Sequence, residues 1–380
     1  MERRKAIYSI YIEGSDVSSG FVSVVTSITV KDSAGQSADT ANIDLDNSNS
    51  QISFPRVGVK MAIGLGWEGT APILLFEGLV DEVRSTGGRG QGRMMSISAK
   101  SADTRGKLKE PKEEHKDRSS LGDVASAWGK DAGLNEVKVH PDLAKIERPY
   151  WSMENESFLQ WGARVAKEVG ATFKVMGERA VMTPRSSGKS ASGKGLPKIR
   201  AEWGRNLISW SISPILSRPA FKKFEARYYD PKEAKWRRET FEAKEVSEGI
   251  EASSTLRFVR ADKETAKAES ESYGNESDRE KGGGSVTIDG DPTAQAEAEC
   301  ELIGTDPGVD GTYRIETATH NYTRSGGYTT DLDLKQPKGD AGKDNRKSEK
   351  AGSAVGSAKT LTSKNNSAVN TTDGGNSATA

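Results

Sequence analysis

The sequence predicts a mainly β chain interrupted by an α+β insertion, and three observations carry that expectation. Apolar and polar residues alternate at the strand period in residues 1–105 and again in 196–336, whereas residues 106–195 switch to the helical period. The last stretch, 337–380, contains no aromatic residue, no Ile and no Met, with Val355, Leu361 and Val369 its sizeable apolar side chains. Two β blocks therefore flank an insertion of two helices and a hairpin, and the low-complexity tail is disordered unless a partner orders it, because it buries too little surface to offset ordering.

The first block opens with a strand in Ala6-Ile7-Tyr8-Ser9-Ile10-Tyr11-Ile12. Val57, Val59, Met61, Ile63 and Leu65 then form one apolar row on a half-buried strand. Further strands are expected over 21–30, 41–45, 73–83 and 94–99, the last two joined through the glycine-rich 85–92. This pattern of short strands suggests a sandwich or a barrel. Residues 107–118 are charged and nearly free of apolar side chains, which suits a linker or a solvated face.

In the insertion, Leu121, Val124, Ala125 and Trp128 recur on one helical face after Ser119-Ser120, with Gly133 beyond. A second helix carries Phe158, Trp161, Val165 and Val169 and stops at Gly170. The stretch 171–182 then reads as a hairpin turning at 176–179, and the Ser/Gly/Lys-rich 186–195 reads as a flexible linker. The second β block predicts strands at 207–212, 221–229, 235–241, 256–259, 286–288 and 298–303. It also predicts a mostly exposed helix over 262–281 and a closing hairpin of 312–322 with 328–334.

Composition narrows the function. Lys plus Arg and Asp plus Glu number 55 each, so no global field draws in DNA or an anionic membrane, and no sequence-specific nucleic-acid binding is expected. No run of about 18 apolar residues occurs, so no membrane anchor is expected, and the charged start followed by a strand pattern is unlike a signal peptide. Synthesis in the cytoplasm is the default expectation. The single cysteine, Cys300, reads as a small buried hydrophobe.

Catalytic chemistry lacks its minimal residues. His115, His140 and His320 are far apart, and neither HExxH, GxSxG nor GxGxxG is present. Gly188-Lys189-Ser190 imitates a phosphate loop without its first glycine. The carboxylate pairs Glu154/Glu156 and Asp331/Asp333 suit a helix cap and a solvated strand better than a glycosidase cleft. Lys222-Lys223 and Arg237-Arg238, with Phe221, Phe224 and Trp236 interleaved, could touch phosphates but also show what an alternating strand must show. No catalytic, cofactor-binding or metal-binding residue is assigned, and no cofactor is expected.

Three stretches take on meaning together. Phe76-Glu77-Gly78-Leu79-Val80 with Met94 to Asp103 resembles the FxGxV hairpin and return strand of contractile-phage tail hub proteins, the late control D family. Glu154 to Arg164 is similar to that family's ESdxxFLxRLA helix, with Trp161-Gly162 in place of Arg-Leu. Gly311-Thr312-Tyr313-Arg314-Ile315, His320 and Gly326 to Leu332 resemble its closing GxYxI…H…GGYTTxL hairpin.

The resemblance covers about residues 5–335 and implies two β-barrel-like hub domains per chain. It implies a homotrimer whose six similar domains meet a sixfold tail tube while the other face stays threefold for the spike. The family is related to the N-terminal hub region of type VI secretion spike proteins. Implied partners are the tail spike protein, the tail tube or distal tube protein, and baseplate wedge and tape-measure proteins. The implied location is the virion tail baseplate, and His320 becomes a structural residue. Rival readings are a cell-wall hydrolase of the same machine and a polysaccharide-binding β module.

Overall fold

The computed structural model describes residues 4–34, 38–90, 92–103, 106–215, 221–243 and 251–343. The expectation for most of the tail, 344–380, lies outside the described residues.

The first block holds β1 (Ala6–Ile12), β2 (Ser15–Asp16), α1 (Ser18–Phe21), β3 (Val25–Ser33), β4 (Thr40–Asp46), β5 (Lys60–Trp67), β6 (Ile73–Gly88) and β7 (Gly92–Lys100). The insertion contributes β8 (Lys112–Ser120), α2 (Leu121–Asp131), β9 (Glu136–Val139), α3 (Pro141–Ala144), β10 (Glu147–Glu156), α4 (Phe158–Glu168), β11 (Ala171–Met176) and β12 (Arg179–Pro184). The second block has β13 (Ile199–Glu202), β14 (Leu207–Ser213), β15 (Lys223–Asp230), β16 (Lys235–Glu242), β17 (Ser253–Thr255), α5 (Lys263–Arg279), β18 (Gly283–Asp289), β19 (Glu299–Ile303), β20 (Gly311–Thr323) and β21 (Gly327–Lys338).

The mainly β class is as expected, and the two blocks share one 13-stranded sheet. Its path runs β14-β18-β21-β20-β3-β4-β7-β6-β5-β1-β2, with β13 and β19 attached beside β20. The junction is β20, whose later residues pair with β3 from Thr317↔Ser33 to Thr323↔Ser27 while its earlier ones pair with β19. Among the described strands the path stays open at both ends. Each block nonetheless keeps its own core. Ile10, Ile28, Ile43, Ile63, Leu65 and Ile97 pack with Tyr328 in one, and Ile199, Val286, Cys300, Ile315, Leu332 and Leu334 pack in the other.

The insertion packs α2 and α4 around an aromatic centre. Trp161 sits at 5.0 Å from Trp128 and 5.6 Å from Phe158, edge-on to the first and stacked on the second. Ser120 caps α2, and Ser157 and Gln160 form a reciprocal capping box at the start of α4, so the polar starts and apolar stripes of both helices act as their sequence suggests.

Several expectations need correction. Of the two readings of 107–118, the linker falls and the solvated face stands, because β8 occupies 112–120 and pairs with β10 without a buried side chain; backbone hydrogen bonding needs no apolar side chains. The linker at 186–195 is a folded turn, with a bridge from Lys189 to Gly195 and Ser190 N donating to Lys194 O at 2.8 Å. The strand expected over 21–30 begins at Val25, since Asp16 Oδ1 accepts from Ser18 N at 2.8 Å and turns the chain into α1. The strand expected at 256–259 is displaced to β17. At the start of the tail the chain is still folded, since β21 runs to Lys338, Ala341 packs on the second core and Gly342 N donates to Gly308 O at 2.7 Å.

Candidate functional site

Edge strands show unpaired backbone donors and acceptors and are ready to pair with another chain unless charge, proline or cover blocks them. The sheet ends in β14 on one side and in β1, with its two-residue companion β2, on the other. The sequences of these terminal strands, Leu-Ile-Ser-Trp-Ser-Ile-Ser in β14 and Ala-Ile-Tyr-Ser-Ile-Tyr-Ile in β1, contain no charged residue and no proline. The edge strand β16 of the separate three-stranded sheet, Lys-Trp-Arg-Arg-Glu-Thr-Phe-Glu, is charged along its length.

On β14, the paired side is taken by β18 from Leu207↔Ile288 to Ser213↔Gly283. Leu207 is buried, and Trp210 and Ile212 pack against the second core. Ile208 stays 48% exposed and Trp203 53% exposed, with the Trp203 ring edge-on to Trp210 at 4.9 Å. The open edge thus has an apolar flank. On β1, Ile10 turns its backbone away from β5: its N–H donates to Ser18 Oγ at 2.8 Å and its carbonyl accepts from Val17 N at 3.0 Å. Two and four residues earlier, Tyr8 and Ala6 point the same way by strand alternation, and no described strand pairs with them there.

The residues singled out in the sequence are dispersed. His115 stacks on Tyr150 at 5.9 Å, and His140 caps α3 by accepting from Asp142 N at 3.3 Å. His320 is buried, with Nδ1 at 2.8 Å from the Tyr328 hydroxyl and Nε2 at 3.1 Å from the Ala294 carbonyl. Burial lowers its pKa, more than the opposing pull of the Ala294 carbonyl, and the ring links the Tyr328 hydroxyl to that carbonyl. Burial pushes the Cys300 thiol up to about 12.

Glu156 accepts from Arg164 Nε at 2.8 Å, while Asp331 accepts from Thr287 Oγ1 at 2.6 Å and from Asn321 Nδ2 at 2.8 Å. Gly188-Lys189-Ser190 lies in the turn before β13, not before a helix whose N-terminus could cradle phosphate. Among the described residues no group of three or more His, Cys, Asp or Glu side chains could hold a metal ion. The strand at β14 was legible in the sequence, but its position at a sheet end was not, because pairing order depends on distant strands.

No family model matches the chain. It is 30% identical over 192 residues to the probable baseplate hub protein of Escherichia phage 186, covering 50% of this chain and 48% of that protein. It is 27% identical over 231 residues to the corresponding protein of Escherichia phage P2, covering 60% and 57%. The chain thus spans about half the length of the curated relatives it matches.

Among solved structures, the 43 kDa tail protein of prophage MuSo2 from Shewanella oneidensis matches with a TM-score of 0.66 at 16% identity, over 87% of this chain and 98% of that one. A tail protein from Neisseria meningitidis also gives 0.66, at 12% identity over 90% and 99%. An Escherichia coli type VI secretion component, described as structurally similar to the T4 tail proteins gp27 and gp5, gives 0.52 at 11% identity over 87% and 77%. The resemblance carried by the three motifs holds: this chain is similar in sequence to phage baseplate hub proteins and has the fold of phage tail proteins.

Proposed function

We propose that this chain is a structural tail hub protein of a contractile phage tail or a related injection machine. It acts as a homotrimeric symmetry adapter between tail tube and spike in the baseplate, with no catalytic step. Sequence similarity to two baseplate hub proteins and the tail-protein fold support the role. The observation that carries the assembly mechanism is the open backbone along β14 and along the start of β1, two stretches without a charged residue. When an end strand of one copy pairs with the opposite end strand of the next, the contact is heterologous, and three such contacts close a ring. Binding then comes from backbone pairing and from cover over the apolar flank at Trp203 and Ile208, and the spike and tube bind the ring's two ends.

The test is the mass of the purified full-length chain in solution, together with a Ser209→Lys/Ser211→Lys variant at exposed positions of β14. The wild type is expected at three times its 40.9 kDa chain mass, and the variant as a folded monomer with an unchanged far-ultraviolet circular dichroism spectrum. A wild-type chain that stays monomeric at high concentration overturns the trimer. A variant that stays trimeric overturns β14 as the contact.

A further inference from the structure

We propose that the outward face of the small sheet formed by β15, β16 and β17 is a docking surface for an acidic, apolar protein segment. It is independent of the open edges of β1 and β14.

The geometry begins with alternation. Ala226 and Tyr228 of β15 are buried with Leu256 and with Ala266 of α5, so one face of this sheet is covered by the helix. The alternate residues face outward, and the antiparallel register sets Tyr229 opposite Trp236 and Arg227 opposite Arg238 on that uncovered face. The two rings meet edge-on at 5.3 Å, and Trp236 is 66% exposed. On the side of β15 away from β16, next to Glu225 and Arg227, the chain loops out. Leu256 N donates to Glu225 O and Arg260 N to Arg227 O, both at 2.8 Å, so Arg257, Phe258 and Val259 are expelled between the two bonds. Phe258 is 64% exposed, with the Arg257 guanidinium 5.5 Å from its ring.

Charge selects the occupant. Arg238 pairs with Glu225 at 3.0 Å, whereas Arg227 and Arg257 make no ion pair among the described residues. Like charges directly opposite one another on a sheet repel, and a carboxylate received between Arg227 and Arg238 relieves that with two-pronged hydrogen bonds. Exposed Trp, Tyr and Arg side by side are the residues that dominate protein interfaces. A polyphosphate chain fits less well, since Glu225 and Glu242 share the face and interrupt any continuous positive track. The same two carboxylates oppose an anionic bilayer. Carboxylates spaced along an extended segment meet the arginines, and apolar side chains between them cover Trp236 and Phe258.

Binding to the full-length chain is measured with three probes: a fluorescein-labelled peptide of alternating Glu and Leu, a thymidine oligonucleotide, and phosphatidylglycerol vesicles. The peptide is expected to bind, and Arg227→Glu and Trp236→Ala, both at exposed positions, each weaken it by about tenfold or more with the melting temperature unchanged. Absence of peptide binding, peptide binding insensitive to both variants, or tighter binding of oligonucleotide or vesicle overturns the proposal. Failure of the trimer test leaves this outcome unaffected, because the face does not involve β1 or β14.

Discussion

Arg279, the last residue of α5, is fully buried and donates from Nε to Glu316 Oε2 on β20 at 2.8 Å. The same guanidinium reaches Ser186 Oγ at 2.6 Å and Glu297 at 3.1 Å, and Arg185 joins Glu316 at 3.1 Å from the end of the insertion hairpin. Insertion, helix and sheet are therefore tied at one buried cluster of charges. Such a cluster adds little net stability compared with an apolar core, but it defines one arrangement of the segments that meet there, since every other arrangement strands a buried charge.

Replacing Arg279 with Ala leaves the buried Glu297 and the largely buried Glu316 with Arg185 as their main counter-charge. The expected loss is about 3–5 kcal/mol of unfolding free energy, read from urea denaturation at pH 7. Burial alone would raise the Glu316 carboxyl, but Arg279 and Arg185 more than offset this and hold it below its ordinary 4.5. This stability is present above that value and is lost as the pH falls below it, so the gap between wild type and variant should narrow in acid. An unchanged urea midpoint for the variant would mean that Arg185 alone neutralises the site.

Asp39 behaves in the opposite sense. It is buried, and it shares the Lys174 ammonium, 2.7 Å away, with Asp32. Burial raises its carboxyl to about 6, against the pull of Lys174 and with the push of Asp32. The folded state therefore holds this proton more tightly than the unfolded chain does, and its contribution to stability falls as the pH rises from about 4 to about 6. Asp39→Asn removes this titrating group and should flatten that slope, measured by denaturation at pH 5 and pH 7. If the variant keeps the wild-type slope in this window, another group titrates there.

The limits of the sequence follow from range. Helix α2 was legible down to its Ser120 cap, and α4 by its apolar stripe and its stop at Gly170, because such signals are local; the capping box of Ser157 and Gln160 was equally local but went unread. The departure at Trp161-Gly162 from the hub family's Arg-Leu was visible, but its reason was not. Trp161 fills the aromatic core, and a Cβ on Gly162 would sit 2.6 Å from the Phe173 ring. That neighbour comes from β11, so no local pattern announces it. The same holds for the pairing of β3 with β20, nearly the whole chain apart, which joins the two β blocks and leaves β1 and β14 as the ends. Pairing order is decided by nonlocal burial, whereas alternation within a strand discloses only that a strand exists. The Arg279 cluster was hidden for a related reason: α5 has few large apolar residues and read as mostly exposed, yet its last residue is buried through ion pairs.

The glycine of the Phe76-x-Gly78-x-Val80 motif should be irreplaceable on steric grounds. An added Cβ would lie 2.2 Å from the Lys100 carbonyl oxygen and 2.7 Å from the Phe76 ring. The carbonyl belongs to β7, whose Lys100 is paired with Leu79, and Val80 N is bonded to Val59 O at 3.0 Å, so neither backbone can yield without breaking pairing. Overpacking at a rigid contact costs about 1–3 kcal/mol, and Gly78→Ala should destabilise by at least that much. Gly87 on the same strand provides the control. Its nearest neighbour for a Cβ is the Gly92 carbonyl oxygen at 3.5 Å, an ordinary contact, so Gly87→Ala should change stability by less than about 1 kcal/mol. The two variants are compared by thermal melting of the full chain. Equal melting temperatures would mean that β6 and β7 can separate at Gly78, and the motif would then owe its glycine to something other than this close approach.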